Sequence, residues 1–381
     1  MAITVGKLFG NGAITYNMKL LAGMKGLNNL VEWVHIIEND EVSQFLHGHE
    51  VVLTSGILND NKGWLLDYAK KLHKVGTSAF IVNIGPYTKS VDKEVIEFCN
   101  KVNMPLYTIP WETRMVDITR DICSRILRRE QVEISVSATI KNIIFKIGDL
   151  ETQIQQMERY GYLQDSKFCF IAMCLDNKDG DFEMNRVKVF SERIARNIHE
   201  LYISFPYNEC WILVLVNYSN YDIDNFVNTF YKNWNKESCR VYMGISQNNQ
   251  GIRVQDENFN KAFKAMEMAK KQEKDVVFYD KLHIYKLLLE VKDKSLLNNY
   301  YKDVLGKLVE YDKENRTDLV GFLKVYLENN GSQQAVAEKQ YIHRNTVNNQ
   351  IKKIEKITGF NPLEIEEKMK FVLGFYIKDI I

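Results

Sequence analysis

The stretch Gly331–Gly359, GSQQAVAEKQYIHRNTVNNQIKKIEKITG, decides how this chain is read. Ser332 can cap a short helix, Gln333–Lys339, by accepting from N–H groups that the first helical turn leaves open. The small residues Ala335 and Ala337 within it permit a neighbouring helix to approach closely. Gln340-Tyr341-Ile342 make a turn, and a third helix is predicted from Arg344 to Thr358, stopped by Gly359 with Pro362 just beyond. Upstream, Leu319–Leu327 (LVGFLKVYL) forms a first helix that ends near Asn329-Asn330-Gly331. Helix, tight turn and helix is the helix-turn-helix plan.

The third helix has two faces. At about 100° per residue, Val347, Ile351 and Ile354 fall on one side and form a buried stripe. Asn345, Asn349, Lys352 and Lys356 lie opposite, flanked by Asn348 and Lys353. Between Lys339 and Lys356 there are five Lys or Arg and one acid, Glu355, a local charge of +4. Asn suits bidentate contact with adenine, and Lys suits guanine edges or phosphate. Arg344, with Thr346 on the same first turn, is placed to reach a phosphate that the helix dipole also attracts. A Lys/Asn face alone also fits a merely solvated helix. The turn, the small-residue helix and the scarcity of acids decide for DNA.

Outward from this motif, 381 residues imply two or three domains at about 150 residues each. Fifty Lys+Arg against 49 Asp+Glu leave +1 overall, which argues against a chain built throughout as a polycation. The first 23 residues lack the basic, apolar and small-residue order of a signal peptide. The most apolar window, Cys210–Val216 (CWILVLV), is seven long and suits a buried strand, so no membrane partner is expected. Six cysteines without a CxxC pair fit a reducing cytoplasm.

Residues 1–125 alternate between strands and helices. Val31–Ile37, Glu50–Thr54, Ser78–Ile84 and Pro105–Ile109 read as strands, Trp64–Val75 and Val91–Val102 as amphipathic helices. That order implies a mainly parallel α/β sheet. A small-molecule pocket at the carboxyl ends of such strands would involve Thr54, Ser55 and Gly56, with His35 and Glu50 the other polar candidates. From 126 to 160 a helix or helix pair, with Ile140, Ile143, Ile144, Ile147, Leu150 and Ile154 at helical spacing, acts as a linker. It is also able to pair with a second copy of the chain.

Residues 161–290 read as strand Phe168–Leu175, helix Arg186–Leu201, strand Tyr202–Phe205, a turn at Pro206–Asn208, then strand Cys210–Val216. Helix Ile223–Trp234, strand Arg240–Ile245, helix Asn258–Lys271 and strand Val276–Tyr279 follow. The order β-α-β-β-α-β is that of a ferredoxin-like palm with a helix and strand appended. A helical linker at 291–315 then leads to the helix-turn-helix domain at 316–381.

At both ends the chain resembles the PucR-type (purine catabolism regulator-like) bacterial transcription factors. His343, Arg344, Asn345, Thr346 and Val347, followed by Lys353, Ile354 and Glu355, match the family's recognition-helix pattern. Near the N-terminus, Gly23, Gly26, Leu27, Val31, Trp33, Val34, His35, Glu50, Val52, Leu53, Thr54 and Gly56 match its sensor-domain signature. The middle domain resembles the degenerate GGDEF-like module of the same family. The resemblance implies a multidomain α/β, α+β and all-α chain: a cytoplasmic, ligand-responsive regulator of catabolic genes. It would respond to a small-molecule effector. The amphipathic linker and the limited affinity of one small module add that it binds operator DNA as a homodimer or higher homo-oligomer, and no cofactor is expected.

Two other classes remain open: a sensor or scaffold with a vestigial helix-turn-helix, and a nucleotide-processing enzyme of the cyclase-palm type. A working cyclase needs glycines in its hairpin and acids beside them to hold Mg²⁺. Phe205–Cys210 (FPYNEC) offers one acid, no glycine and a stiffening Pro206. No G-x-S-x-G, G-x-x-x-x-G-K-[ST] or H-E-x-x-H is present, so no catalytic residues are expected. His47-Gly48-His49 reads as a polar loop rather than a metal site. Asp176, Asp179 and Asp181 place their glycine too early and lack the closing Glu of a calcium loop, so they read as solvated.

Overall fold

The computed structural model describes residues 3–10, 16–58, 63–176, 181–199, 201–234 and 239–381. Asp179 and most of the 176–181 acidic loop lie outside the described residues. The chain divides into two compact units, Met1–Ala138 and Thr139–Ile381.

In the first unit, β1 (Ile3–Thr4) leads into α1 (Val5–Phe9) and pairs with β3 (Leu30–Val31). The main sheet has the order β2-β7-β6-β5-β4. Its strands β4 (Trp33–Ile36), β5 (Glu50–Thr54), β6 (Ala79–Ile84) and β7 (Leu106–Pro110) are mutually parallel. At its edge β2 (Lys19–Ala22) runs antiparallel to β7. The crossovers carry α2 (Trp64–Lys74) and α3 (Lys93–Val102). Both sheet faces are covered, which is why these strands read as continuous apolar runs. Val51, Leu53, Ala79 and Ile81 pack with Ile118, Ile122 and Ile126 of α4 (Met115–Ile144). On the other face Val52, Phe80 and Val82 meet Leu65, Tyr68, Leu72, Val95 and Cys99.

Two details depart from the sequence reading. The strand expected over Val31–Ile37 is divided between β3 and β4, which belong to different sheets. The edge strand β2 was not anticipated, because four residues without strict alternation give no strand signal.

The second unit opens with α5 (Leu150–Arg159), capped by Asp149, which accepts from the Thr152 N–H. Then follow β8 (Lys167–Leu175), α6 (Asp181–Ile198), β9 (Tyr202–Tyr207), β10 (Cys210–Val216), α7 (Asn220–Asn233) and β11 (Val241–Ile245). β12 (Asn249–Gln250), α8 (Gln255–Lys271) and β13 (Val276–Phe278) complete the mixed domain. The sheet order is β13-β11-β8-β10-β9, with β12 also on β8. β11, β8, β10 and β9 are antiparallel neighbours, and β13 joins β11 in parallel. The hairpin turn sits later than expected. Pro206 lies within β9 opposite Trp211, and the reversal is made by Asn208, at φ +51°, with Glu209. An edge strand tolerates the missing proline N–H, so Pro206 need not end the ladder.

The remainder is helical: α9 (Ile284–Leu289), α10 (Lys294–Tyr301), α11 (Lys307–Asn315), α12 (Leu319–Glu328), α13 (Gln333–Gln340), α14 (Arg344–Thr358) and α15 (Ile365–Lys378). Leu319, Phe322, Leu323, Tyr326, Val336, Val347, Ile351, Ile354 and Phe371 form its core. Val304, Leu305 and Leu308 share that core, so the 291–315 stretch expected as a linker supplies part of the packing. A neighbouring cluster unites Ala265, Met268 and Ala269 of α8 with Leu297, Ile377 and Ile380. Through α15 the helical region is therefore seated on the mixed domain. Lys271 Nζ donates to the Ile380 carbonyl at 2.7 Å, and Tyr285 donates its hydroxyl to Asp379 at 2.5 Å.

Candidate nucleic-acid interface

The entry to α14 is built by local capping. Ser332 Oγ accepts from the Ala335 N–H at 3.3 Å to start α13. The chain leaves that helix through Tyr341, which has left-handed φ (+55°) and is 95% exposed. His343 then caps α14, its Nδ1 accepting from the Asn345 N–H at 3.2 Å. The turn before α13 depends on Gly331. It has φ +77°, and a Cβ there would stand 2.7 Å from Lys368 Nζ and 3.1 Å from the Tyr326 hydroxyl.

The faces of α14 lie as the spacing predicts. Val347, Ile351 and Ile354 are buried in the shared core. Arg344, Asn345, Thr346, Asn349, Lys352, Lys353 and Lys356 are exposed, and Asn348 is half-buried. Within α13 Val336, between the two alanines, is the buried residue, and Ala337 packs partly buried against the core.

Among the described residues the outward side chains differ in how they are held. Asn345 and Asn349 make no side-chain hydrogen bond, and Lys352 and Lys356 have no acidic partner. Arg344 is steadied by Gln333, its Nε donating at 3.3 Å. Lys353 Nζ stands 4.8 Å from the centre of the Tyr311 ring on α11, a cation–π contact that fixes its direction. Lys339 lies 3.8 Å from Glu328, so part of the local positive charge is already neutralised. Sequence reasoning missed the supporting roles of Gln333, Tyr311 and His343. Gln333 and Tyr311 lie 11 and 42 positions from the residues they hold, and no local pattern links them.

The candidate effector residues do not meet at one point. Thr54, Ser55 and Gly56 cluster at the carboxyl end of β5. There the Glu38 carboxylate accepts from Thr54 Oγ1 (2.9 Å), Ser55 Oγ (2.8 Å), Ser55 N (3.0 Å) and Gly56 N (3.0 Å). Gly56 has φ +78°, and a Cβ there would lie 2.4 Å from Thr88 Oγ1 and 2.7 Å from Trp64. The turn therefore accepts only glycine. Tyr87 and Trp111, both exposed and 5.8 Å apart, flank the same end of the sheet. Glu50 begins β5, about 13 Å away at the usual rise per residue. It is buried, with Oε1 accepting from the His47 N–H and Oε2 unpartnered among the described residues. His35 lies between these ends, in register with Val52. Glu38 was not anticipated, because it falls after its strand and its contacts cross 16 to 18 positions.

Among the described residues no group of three or more His, Cys, Asp or Glu side chains could hold a metal ion. No helix among them is long and apolar enough to cross a membrane.

A capped three-helix motif with an outward row of unsatisfied Asn and Lys defines a helix-turn-helix module. The corresponding family models place it. Residues 319–377 match the PucR C-terminal helix-turn-helix domain, and residues 8–126 match the purine catabolism regulatory protein-like family. Both ends of the chain therefore match domain models of PucR-type regulators. The chain is 29% identical over 140 residues to the proline-responsive transcriptional activator PutR of Bacillus subtilis, covering 36% of this chain. It is 27% identical over 112 residues, 29% of this chain, to the purine catabolism regulatory protein of the same species. The matched regions span 34% and 21% of those relatives. A regulator of polyketide synthase expression from Bifidobacterium adolescentis aligns over 64% of this chain and 97% of its own at 14% identity and a TM-score of 0.32.

Proposed function

We propose that this protein is a ligand-responsive transcriptional regulator of catabolic genes that binds operator DNA through α14. The observation carrying this reading is the exposed row Asn345, Asn349, Lys352 and Lys356 on a helix whose opposite face is buried. Polar side chains with no partner among the described residues are suited to one outside the chain. Asn345, Asn349 and Lys352 read base edges, with Thr346 and Asn348 at their margin. Arg344, Lys353 and Lys356 hold phosphates. The bracing of Arg344 by Gln333 and of Lys353 by Tyr311 supports this division, since a phosphate clamp gains from being held before contact. Genome-wide footprinting identifies the operator, and gel shifts on that sequence test the assignment. If Asn349→Ala with Lys352→Ala left binding unchanged, α14 would not be the reader.

The mixed domain is a ferredoxin-like, degenerate GGDEF-like module without turnover. Its antiparallel order β11-β8-β10-β9 supports the fold, and the glycine-free hairpin supports the lack of activity. The protein acts in the cytoplasm and uses no cofactor. Its effector binds the first unit at the carboxyl end of β5, where Thr54, Ser55 and Gly56 meet Glu38, at the sheet end that Tyr87 and Trp111 flank. His35 and Glu50 support the sheet around it.

The protein works as a homodimer. Leu127 and Ile134, exposed and one heptad apart on α4, offer an apolar edge to a second copy. Analytical ultracentrifugation finding a monomer both alone and on DNA would rule this out. Because α8 and α15 share a core, a change in the mixed domain reaches the DNA module without a flexible intermediary.

A further inference from the structure

Two cysteines face each other across the paired central strands β8 and β10 of the second unit. Cys174, near the end of β8, is in direct register with Cys210, the first residue of β10. Both are unbridged thiols and both are buried, at 9% and 5% exposure.

The hydrogen-bond pattern decides which kind of pair they form. Along β8 the Phe170 carbonyl accepts from the Ser246 N–H, and the Asp176 N–H donates to the Arg240 carbonyl. Even-numbered residues of β8 therefore turn their backbone polar groups toward β11. Consistently, the odd-numbered Lys167 accepts from Asn217 on the β10 side. Cys174 and Cys210 are thus a non-hydrogen-bonded antiparallel pair, whose Cα atoms stand about 4.5 Å apart with side chains directed to one face. That spacing lies within the range a disulfide spans.

The surroundings favour chemistry at one sulfur. The Cys210 thiol hydrogen-bonds to Cys174, which lowers the Cys174 pKa against the opposing effect of burial, and Lys270 on α8 adds a further lowering. The same contact, with burial, pushes Cys210 up. One sulfur is disposed to act as the nucleophile while its neighbour holds its proton until needed.

We propose that Cys174 and Cys210 are a redox-active pair that closes a reversible intrachain disulfide on oxidation by hydrogen peroxide. The Cys174 thiolate attacks one peroxide oxygen. An S–O bond forms, the O–O bond breaks, and hydroxide leaves to take up a proton as water. The sulfur of Cys210 then attacks the Cys174 sulfenic acid. The S–S bond forms, the S–O bond breaks, and the departing hydroxide leaves as water with the Cys210 proton. Two thiols are oxidised by two electrons and one peroxide is reduced to two waters. The bridge ties β8 to β10 on the face covered by α8, since Gly244, on that face, has backbone atoms of Ala262 and Met266 where its side chain would be.

The test treats the full-length protein with stoichiometric hydrogen peroxide, followed by thiol titration, intact mass measurement and non-reducing peptide mapping. The expected result is a loss of two of the six thiols, a mass decrease of two hydrogens and a cross-linked peptide joining Cys174 to Cys210. Dithiothreitol should restore the starting state. In Cys210→Ser, dimedone should label Cys174, because the sulfenic acid has no resolving partner. The proposal is overturned if the wild-type map shows both residues as free thiols, independently over-oxidised, or bridged to other cysteines. That wild-type measurement does not depend on the variant folding.

Discussion

The carboxyl end of β5 and the outward face of α14 are both lined with polar groups, yet they spend them differently. At β5 the donors of Thr54, Ser55 and Gly56 converge on one carboxylate, Glu38, supplied by the same unit. On α14 the amides of Asn345 and Asn349 and the ammonium groups of Lys352 and Lys356 have no partner among the described residues. Groups satisfied internally hold the fold together, whereas those left open are available to a partner from outside. An effector bound at β5, as proposed, would have to compete with Glu38. DNA approaching α14 displaces only water and counterions.

The contrast can be broken first at the scaffold beneath α14. Phe371→Ala removes a buried ring from the core of the helical region and should cost about 3–5 kcal/mol in urea denaturation. Loss of operator binding should follow from unfolding. A normal denaturation midpoint would show that the helical core is not the support for α14. At β5, Glu38→Ala leaves several donors without their acceptor and should destabilise the first unit by about 1–3 kcal/mol. Operator affinity in the absence of effector should be unaffected.

Asn349→Ala should do the reverse. It should cost about 1–3 kcal/mol in operator affinity and relax specificity at one base position. Its thermal stability should stay within about 0.5 kcal/mol of wild type, as for other exposed sites without structural contacts. If the two variants exchanged these effects, the distinction between built-in and outward polar groups would be wrong. Lys356→Ala should weaken binding to all sequences alike and reduce the salt slope by about one, measured by titrating sodium chloride in gel shifts. Lys339→Ala should have the smallest effect, because its ammonium is already paired with Glu328, and exposed pairs contribute about 0–1 kcal/mol.

The legibility of these regions follows from the range of their interactions. Sequence alone determined the helix-turn-helix and the sidedness of α14. Caps at Ser332 and Gly359 and apolar spacing at Val347, Ile351 and Ile354 act within a turn or two of chain. It also determined the alternation of the first unit and the β-α-β-β-α-β order of the second, since strand and helix periods are local properties. The overall +1 charge concealed the basic surface until it was read segment by segment.

Only the tertiary structure decided what packs across distance. It brought Val304, Leu305 and Leu308 into the core under α14, and seated α15 on α8. It placed Tyr311 beneath Lys353, filled the β5 cradle with Glu38, and set Cys174 opposite Cys210. Each of these depends on strand register or helix packing between residues far apart in the chain. Local periodicity says which face of an element is apolar, and only the assembled core says what that face meets.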